Sequence, residues 1–359
     1  MTKKILIVNP FGIGDVIFST PLVEVLKKHF PDSCIAYICN RRALNLIETN
    51  PGLSKIFVYE KDEYRNILKR SKIDGLKKIL AFLKEIRHEK FDISIDLSLG
   101  YKHSMVLKLM GIKKRVGFNY RNRGRFLTDK LDIESFDNKH VVDYYLSLAK
   151  ILGIDIKSKI EPRIFASKAS QDAGSKFLKD AGLSEEDLLI GVLPGCGASW
   201  GADARRRRWS IEKFARLADM LIEKHSAKII LLGDAKEVDI ASGVQNLMKN
   251  KVVNYCGKTS LGDLIGIMTK CKLIITNEGG PLHMAVALGV KTVSLFGPVD
   301  EKTYGPYPSD GGHIVVSRKD LKCRPCYKKF KYNDCKDRTC LASISVEEVL
   351  GAAEGLLKR

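Results

Sequence analysis

No apolar run in this chain reaches the roughly 18–20 residues that a membrane-spanning helix needs, so a transmembrane segment is not expected. The basic N-terminus, MTKKILIVNPFG, is followed by too short an apolar run for a signal peptide and leads straight into Gly and Asp. It reads as a first buried strand. There is no G-x-G-x-x-G after that strand and no G-x-x-x-x-G-K-[ST] anywhere, which disfavours dinucleotide binding and P-loop chemistry. Acidic residues are outnumbered, with 42 Asp and Glu against 61 Lys and Arg, a net charge of +19. That excess suits an acidic partner such as a phosphorylated lipid or an anionic glycan, or simply a lysine-rich surface. The cations are not interleaved with aromatics and no nucleic-acid motif occurs, so nucleic acid is not an expected partner. The nine cysteines are read as reduced thiols of a cytoplasmic protein rather than a disulfide framework.

With 359 residues, 45% hydrophobic and 29% charged, the chain is long enough for two domains with sizeable cores. Lys4–Val8, Ile35–Cys39, Ile56–Val58, Phe91–Leu97 and Arg115–Phe118 read as strands. Apolar residues at helical spacing predict helices over Val16–Phe30, Ile73–Arg87 and His140–Leu152. Lys61–Lys72 is so charged that it reads as a solvated, mobile segment. The pattern loosens around Ile160–Ser170, then a second alternation begins. Its strands are Leu188–Leu193, Lys228–Leu232, Val252–Tyr255, Leu273–Thr276 and Val290–Phe296, and its last helix is Val346–Lys358. Strands alternating with helices mean a parallel sheet with right-handed crossovers. The inferred organisation is α/β: two Rossmann-like domains with parallel sheets facing across a cleft. They span residues 1–165 and 166–341, with a C-terminal helix, 342–359, packing back toward the first domain.

Polar glycine turns follow the strands, where doubly wound sheets bind ligands. In TNEGGPLHMAVALGVKTVSLFGPVD (Thr276–Asp300) a Gly-Gly turn leads into a short helix with Pro281 in its first turn. Such a helix N-terminus offers free N–H groups and a positive dipole end, an anion site or a plain βαβ turn. Asp15 stands where the first strand gives way to the first helix, as a helix N-cap or as a carboxylate aimed at a ligand. Arg205–Arg208 is a solvated charge run, or part of it meets phosphate. Cys323, Cys326, Cys335 and Cys340 form C-x2-C-x8-C-x4-C, a spacing able to hold tetrahedral zinc as a structural knuckle.

GIGDVIFSTP (Gly12–Pro21), PGCGASWGADARRRRW (Pro194–Trp209) and the Thr276–Asp300 stretch resemble, in order, the motifs of glycosyltransferase family 9. Its best-known members are ADP-heptose:lipopolysaccharide heptosyltransferases. FDISIDLS, RVGFNYRNRGRFLTDKL, HVVDYYLSLAKILGI, GKTSLGDLIGIM and CRPCYKKFKYNDC extend the resemblance over nearly the whole chain. It implies a GT-B fold, with the acceptor on the N-terminal domain and the nucleotide-sugar on the C-terminal one. It also implies an inverting, metal-independent transfer, with no cofactor needed for the chemistry.

By this resemblance Asp15 is the general base and Arg208 the cation that stabilises the leaving diphosphate. Gly197, Ala198, Ser199, Glu237, Gly257, Lys258, Thr259, Glu278, Gly279, Gly280 and His283 bind the donor, Glu237 near the ribose. Glu278 replaces the commoner Asp. Gly12, Gly14, Asp96, Arg121 and Arg123 lie on the acceptor side. The implied activity is transfer of a heptose or related sugar from ADP-heptose to an anionic, lipid-linked inner-core glycan. The implied place is the cytoplasm, at the inner-membrane surface. The alternatives are a GT-B transferase for another nucleotide-sugar and a non-catalytic nucleotide-sugar or glycan binder.

Overall fold

Twelve strands form two all-parallel sheets of six. The first holds β1 (Lys4–Val8), β2 (Cys34–Cys39), β3 (Lys55–Val58), β4 (Ile93–Asp96), β5 (Lys114–Tyr120) and β6 (Asp129–Ile133), in the order β3-β2-β1-β4-β5-β6. The second holds β7 (Leu189–Leu193), β8 (Lys228–Leu231), β9 (Val253–Asn254), β10 (Leu273–Asn277), β11 (Lys291–Phe296) and β12 (His313–Ser317), in the order β12-β11-β10-β7-β8-β9. The computed structural model describes residues 2–335 and 337–358, with 198–202 described by their backbone alone. The sheets belong to separate units, Met1–Phe136 with Val141–Ile160, and Asp137–His140 with Glu161–Arg359.

Each sheet has the doubly wound order, in which the first strand pairs with both the second and the fourth. Thus Val8 lies beside Ile38 on one side and Asp96 on the other. In the second sheet β7 lies between β8 and β10 in the same way. The loops leaving these central strands diverge to opposite faces and open a crevice at their carboxyl ends. Ile5, Leu6, Ile7 and Val8 are all buried, because helices cover both faces, and that is why the strand reads as continuously apolar rather than alternating. Each such side chain contributes roughly 1.5–3 kcal/mol relative to exposure, which keeps this strand central.

The helix expected over Val16–Phe30 is two helices, Ile13–Phe18 and Thr20–His29. Pro21 lacks the N–H that would bond back into the preceding turn, and the Ser19 hydroxyl donates to the Val16 carbonyl at 2.7 Å. The segment expected to be mobile is a helix, Lys61–Arg70. Its acids Asp62 and Glu63 lie in the first turn and its cations Lys69 and Arg70 in the last, matching the helix dipole. Tyr64 is buried against Tyr59 and Phe82. β6 and β12 are edge strands that sequence periodicity missed. The last helix, Val346–Leu357, belongs to the second unit. Val346, Val349, Leu350, Ala353 and Leu356 enter the second unit's core with Trp209 and Phe214. Among the described residues no helix is long and apolar enough to cross a membrane.

Candidate active site

In the first unit the crevice lies between the ends of β1 and β4. Gly12 is the N-cap of the helix that follows β1, and it places Asp15 in the first turn. The capping reading of Asp15 therefore fails. Asn9, buried at the end of β1, donates to the Asp15 backbone carbonyl at 3.1 Å and ties the helix start to the strand. Tyr145, from the helix Val141–Ile151, donates its phenol proton to Asp15 Oδ1 at 3.2 Å. Dense surroundings push the Asp15 carboxyl up to about 6, while the Tyr145 hydrogen bond pulls the other way. A carboxylate poised there accepts a proton near neutral pH better than an ordinary aspartate does.

Asp96 is the residue expected to meet the acceptor. It is buried at the end of β4, and its Oδ1 accepts the Ser98 amide at 2.9 Å. Burial pushes its carboxyl up to about 7. Its work is to shape the loop after β4. Gly12 and Gly14 flank the start of the Asp15 helix with no side chain to obstruct approach. Arg121 and Arg123 are exposed in the turn after β5, and both guanidinium groups lie over the Tyr120 ring, at 4.9 and 5.7 Å.

In the second unit the corresponding crevice lies between β7 and β10. Asn277, the last residue of β10, is buried and fully engaged. Its Nδ2 donates to the carbonyls of Pro194 and Gly195, each at 2.8 Å, and its Oδ1 accepts the Trp209 amide at 2.9 Å. One side chain thereby joins three loops. Gly279 has φ +155°, and a Cβ there would stand 2.1 Å from the Cys196 carbonyl oxygen, so only glycine permits this approach. The helix Gly280–Ala287 begins at this point, and its N-terminus is the expected anion site.

Glu237 is not a free ribose ligand. It is buried, and its Oε1 accepts the amides of Cys196 at 2.8 Å and Gly197 at 2.9 Å. A Cβ on Gly195 would stand 2.0 Å from that oxygen, so the glycine makes room for the carboxylate. Glu237 is a clamp beneath the loop, and it occupies the N–H of Gly197, one of the residues expected to bind the donor. The expected side-chain contacts of Ala198 and Ser199 lie outside the described residues.

The four arginines separate sharply. Arg205 is exposed and Arg206 pairs with Asp203 at 3.2 Å. Among the described residues, Arg207 is the largest fully buried side chain. It is ion-paired with Glu278, donates to the Tyr332 hydroxyl, and lies 5.5 Å from the rings of Tyr327 and Tyr332. Glu278 thus pairs with Arg207 through Oε2, and its extra methylene relative to Asp supplies the reach. Burial pushes the Glu278 carboxyl up, against the pull of Arg207. Arg208, beside the Cys196 thiol, keeps part of its side chain exposed. Its nearest carboxylate, Glu237, is 4.0 Å away, and its Nε has no hydrogen-bond partner among the described residues. Of the four, Arg208 combines a partly exposed side chain with an Nε that has no hydrogen-bond partner among the described residues.

His283 is buried, and burial together with His140 and Arg207 pushes it down to about 3, so the ring is neutral at physiological pH. Gly257, Lys258 and Thr259 form the turn after β9. There the Gly257 amide donates to the Gly233 carbonyl at 3.0 Å, and Lys258 Nζ caps the Asn254 carbonyl at 2.8 Å. Sequence reasoning missed Asn277, Arg207 and Tyr145. The first sits inside the quoted TNEGG motif and the second beside the chosen Arg208, but no sequence signal links Tyr145 to Asp15, 130 residues away.

Near this site, the short antiparallel ribbon of Tyr327–Lys328 with Lys331–Tyr332 supplies the rings over Arg207. The four C-terminal cysteines flank it. Burial, with the neighbouring thiols, pushes Cys326 up to about 11, and its Sγ donates to the Cys323 carbonyl at 3.1 Å. Among the described residues no three His, Cys, Asp or Glu side chains converge as metal ligands.

The family model for glycosyltransferase family 9 (heptosyltransferase) matches residues 79–336, well over half of the chain. A lipooligosaccharide heptosyltransferase 2 of Campylobacter jejuni is 26% identical over 360 residues, covering 99% of this chain and 98% of that protein. A family 9 glycosyltransferase structure from Veillonella parvula superposes with a TM-score of 0.82 at 28% identity, covering 99% of this chain and 97% of the other. The ADP-heptose lipopolysaccharide heptosyltransferase II of Escherichia coli shares the fold with a TM-score of 0.76 at 23% identity, over 99% and 98% of the two chains. A match of that extent, on a chain whose post-strand loops carry the family's motifs at the crevices of two doubly wound sheets, makes this protein a member of glycosyltransferase family 9 and an enzyme, a glycosyltransferase of the heptosyltransferase kind.

Proposed function

We propose that the protein moves a heptose, or a closely related sugar, from ADP-heptose to a hydroxyl of an anionic, lipid-linked inner-core glycan, with inversion at the anomeric carbon. The observation that carries this reading is Asp15, a carboxylate at the first crevice, tuned to about 6 and oriented by Tyr145. In the proposed step the acceptor oxygen attacks the anomeric carbon as Asp15 takes its proton. The bond from that carbon to the diphosphate oxygen breaks, and the electron pair leaves with ADP. Arg208 and the N-terminal end of the Gly280–Ala287 helix meet the growing negative charge. Arg suits this task because its planar donor fork matches phosphate oxygens. The transfer therefore needs no metal ion, and activity should persist in EDTA.

Family membership supports heptose as the sugar, and the net charge of +19 supports an anionic acceptor. The proposed place of action is the cytoplasmic face of the inner membrane. The cysteine segment is proposed to serve structure rather than chemistry, and elemental analysis of purified protein reads any zinc there directly.

The test is Asp15→Asn. With the fold intact by circular dichroism, kcat/KM should fall by roughly 10²–10⁴, the usual worth of a general base. Near wild-type transfer would refute the role. A thermal-shift panel of ADP-, UDP- and GDP-sugars identifies the donor, with the largest shift expected for ADP-heptose.

A further inference from the structure

The helical hairpin of the first unit has two faces with different fates. Its second helix, Lys72–His88, is capped by Ser71, whose hydroxyl accepts the Asp74 amide at 3.2 Å. One face packs inward: Ile86 is buried in the core cluster and Phe82 packs against it. Gly75 is also buried, and a Cβ on it would stand 2.6 Å from the Leu68 side chain, so the two helices of the hairpin are in close contact. The other face carries Ile73, Leu76 and Leu80, exposed by 69%, 55% and 55%. Their i, i+3, i+7 spacing aligns them on one stripe, with Leu68 of the neighbouring helix also exposed.

Three large aliphatic side chains in one exposed row are not explained by folding, because the core gains nothing from them. Their charged neighbours point to what covers them. At about 100° per residue, Lys77, Lys84 and Arg87 lie within about 40° of Ile73. The acids of the helix, Asp74 and Glu85, lie about 100–120° away. Glu85 is further occupied by Lys55 at 3.2 Å, and Glu63 of the first helix by Lys78. Lys69, Arg70 and Lys72 surround the bend between the helices and are exposed. The stripe is therefore bordered by cations alone. An apolar row edged by Lys and Arg is the pattern of a helix lying in the interface of an anionic bilayer, side chains in the acyl boundary and cations among the headgroups.

We propose that the Lys61–His88 hairpin docks the enzyme on an anionic phospholipid surface through Ile73, Leu76 and Leu80. This deepens the functional reading above, in that it rests on an acceptor that is lipid-linked and so confined to such a surface.

The test is flotation of the full-length protein with vesicles of phosphatidylethanolamine and phosphatidylglycerol, against vesicles of phosphatidylcholine alone. The wild type should float with the anionic vesicles only, and less so in 0.5 M salt. The triple variant Ile73→Gln, Leu76→Gln, Leu80→Gln should lose at least five-fold in bound fraction. A second triple variant, Lys72→Glu, Lys77→Glu, Lys84→Glu, should do the same, and it guards against a folding defect in the first. Both should keep wild-type melting temperature and wild-type transfer to a delipidated, water-soluble acceptor. The proposal is overturned if the wild type does not float, or if both variants float as it does. It is equally overturned if light scattering shows a wild-type dimer that the Gln variant converts to monomer, since the stripe would then join two copies. Absence of transfer by the wild type from any nucleotide-sugar would sink the functional reading while leaving the flotation result intact.

Discussion

Asp15 and Tyr145 form the pair whose chemistry is most directly measurable. A general base must be ionised, so kcat/KM should decline as the pH falls through about 6, where Asp15 takes up its proton. The phenol of Tyr145 stabilises the carboxylate and lowers its pKa. Tyr145→Phe should therefore shift the acid limb to higher pH while leaving the plateau rate within a few-fold of wild type. An unmoved limb would show that the 3.2 Å contact does not tune the base. Arg207 and Glu278 make a different kind of pair, buried and structural. Glu278→Ala would strand a cation in the interior, a change that costs about 3–5 kcal/mol, and chemical denaturation should show a loss of that order. Replacing both partners, as Arg207→Met with Glu278→Leu, should recover much of it, because no charge is then left unpaired.

Among elements, the loops after β7 and β10 act as one object because Asn277 binds both and Gly279 lets them touch. Gly279→Ala would drive a methyl group into the Cys196 carbonyl, so these loops must separate. Donor KM should rise at least ten-fold in steady-state kinetics, with a smaller change in acceptor KM. The alternation of strands and helices was readable because parallel strands buried on both faces are apolar throughout and their connections are amphipathic. The misreadings have local causes. The Lys61–Arg70 helix hides behind its charge, and its stability comes from end-matched charges and one buried tyrosine. β6, with the sequence DKLDI, is an edge strand whose polar residues face solvent. The break at Ser19 follows from Pro21, whose position inside an apolar helical pattern was outweighed by the periodicity around it.

For the molecule as a whole, the expected division of labour has a direct readout. In hydrogen exchange with saturating ADP, amides of 194–197 and 277–283 should gain protection, whereas those of 9–15 should not. Protection confined to 9–15 would assign the nucleotide to the wrong unit. The charge of +19 bears on partners rather than on fold. What the amino-acid order settles alone is the α/β class, the two rounds of alternation, the family, and the residue types waiting after each strand, since those depend on periodicity and short-range turn chemistry. What it leaves open is which of those residues keep their polar atoms for a ligand. Asp96, Glu237 and Glu278 look like ligand contacts in sequence, but folding gives each of them an internal partner: the Ser98 amide, the Cys196 and Gly197 amides, and Arg207. Asp15 accepts from Tyr145, and Arg208 lies 4.0 Å from Glu237. Each polar group takes whichever partner the packed structure brings within reach, from a neighbour in the same loop for Asp96 to a helix far along the chain for Asp15.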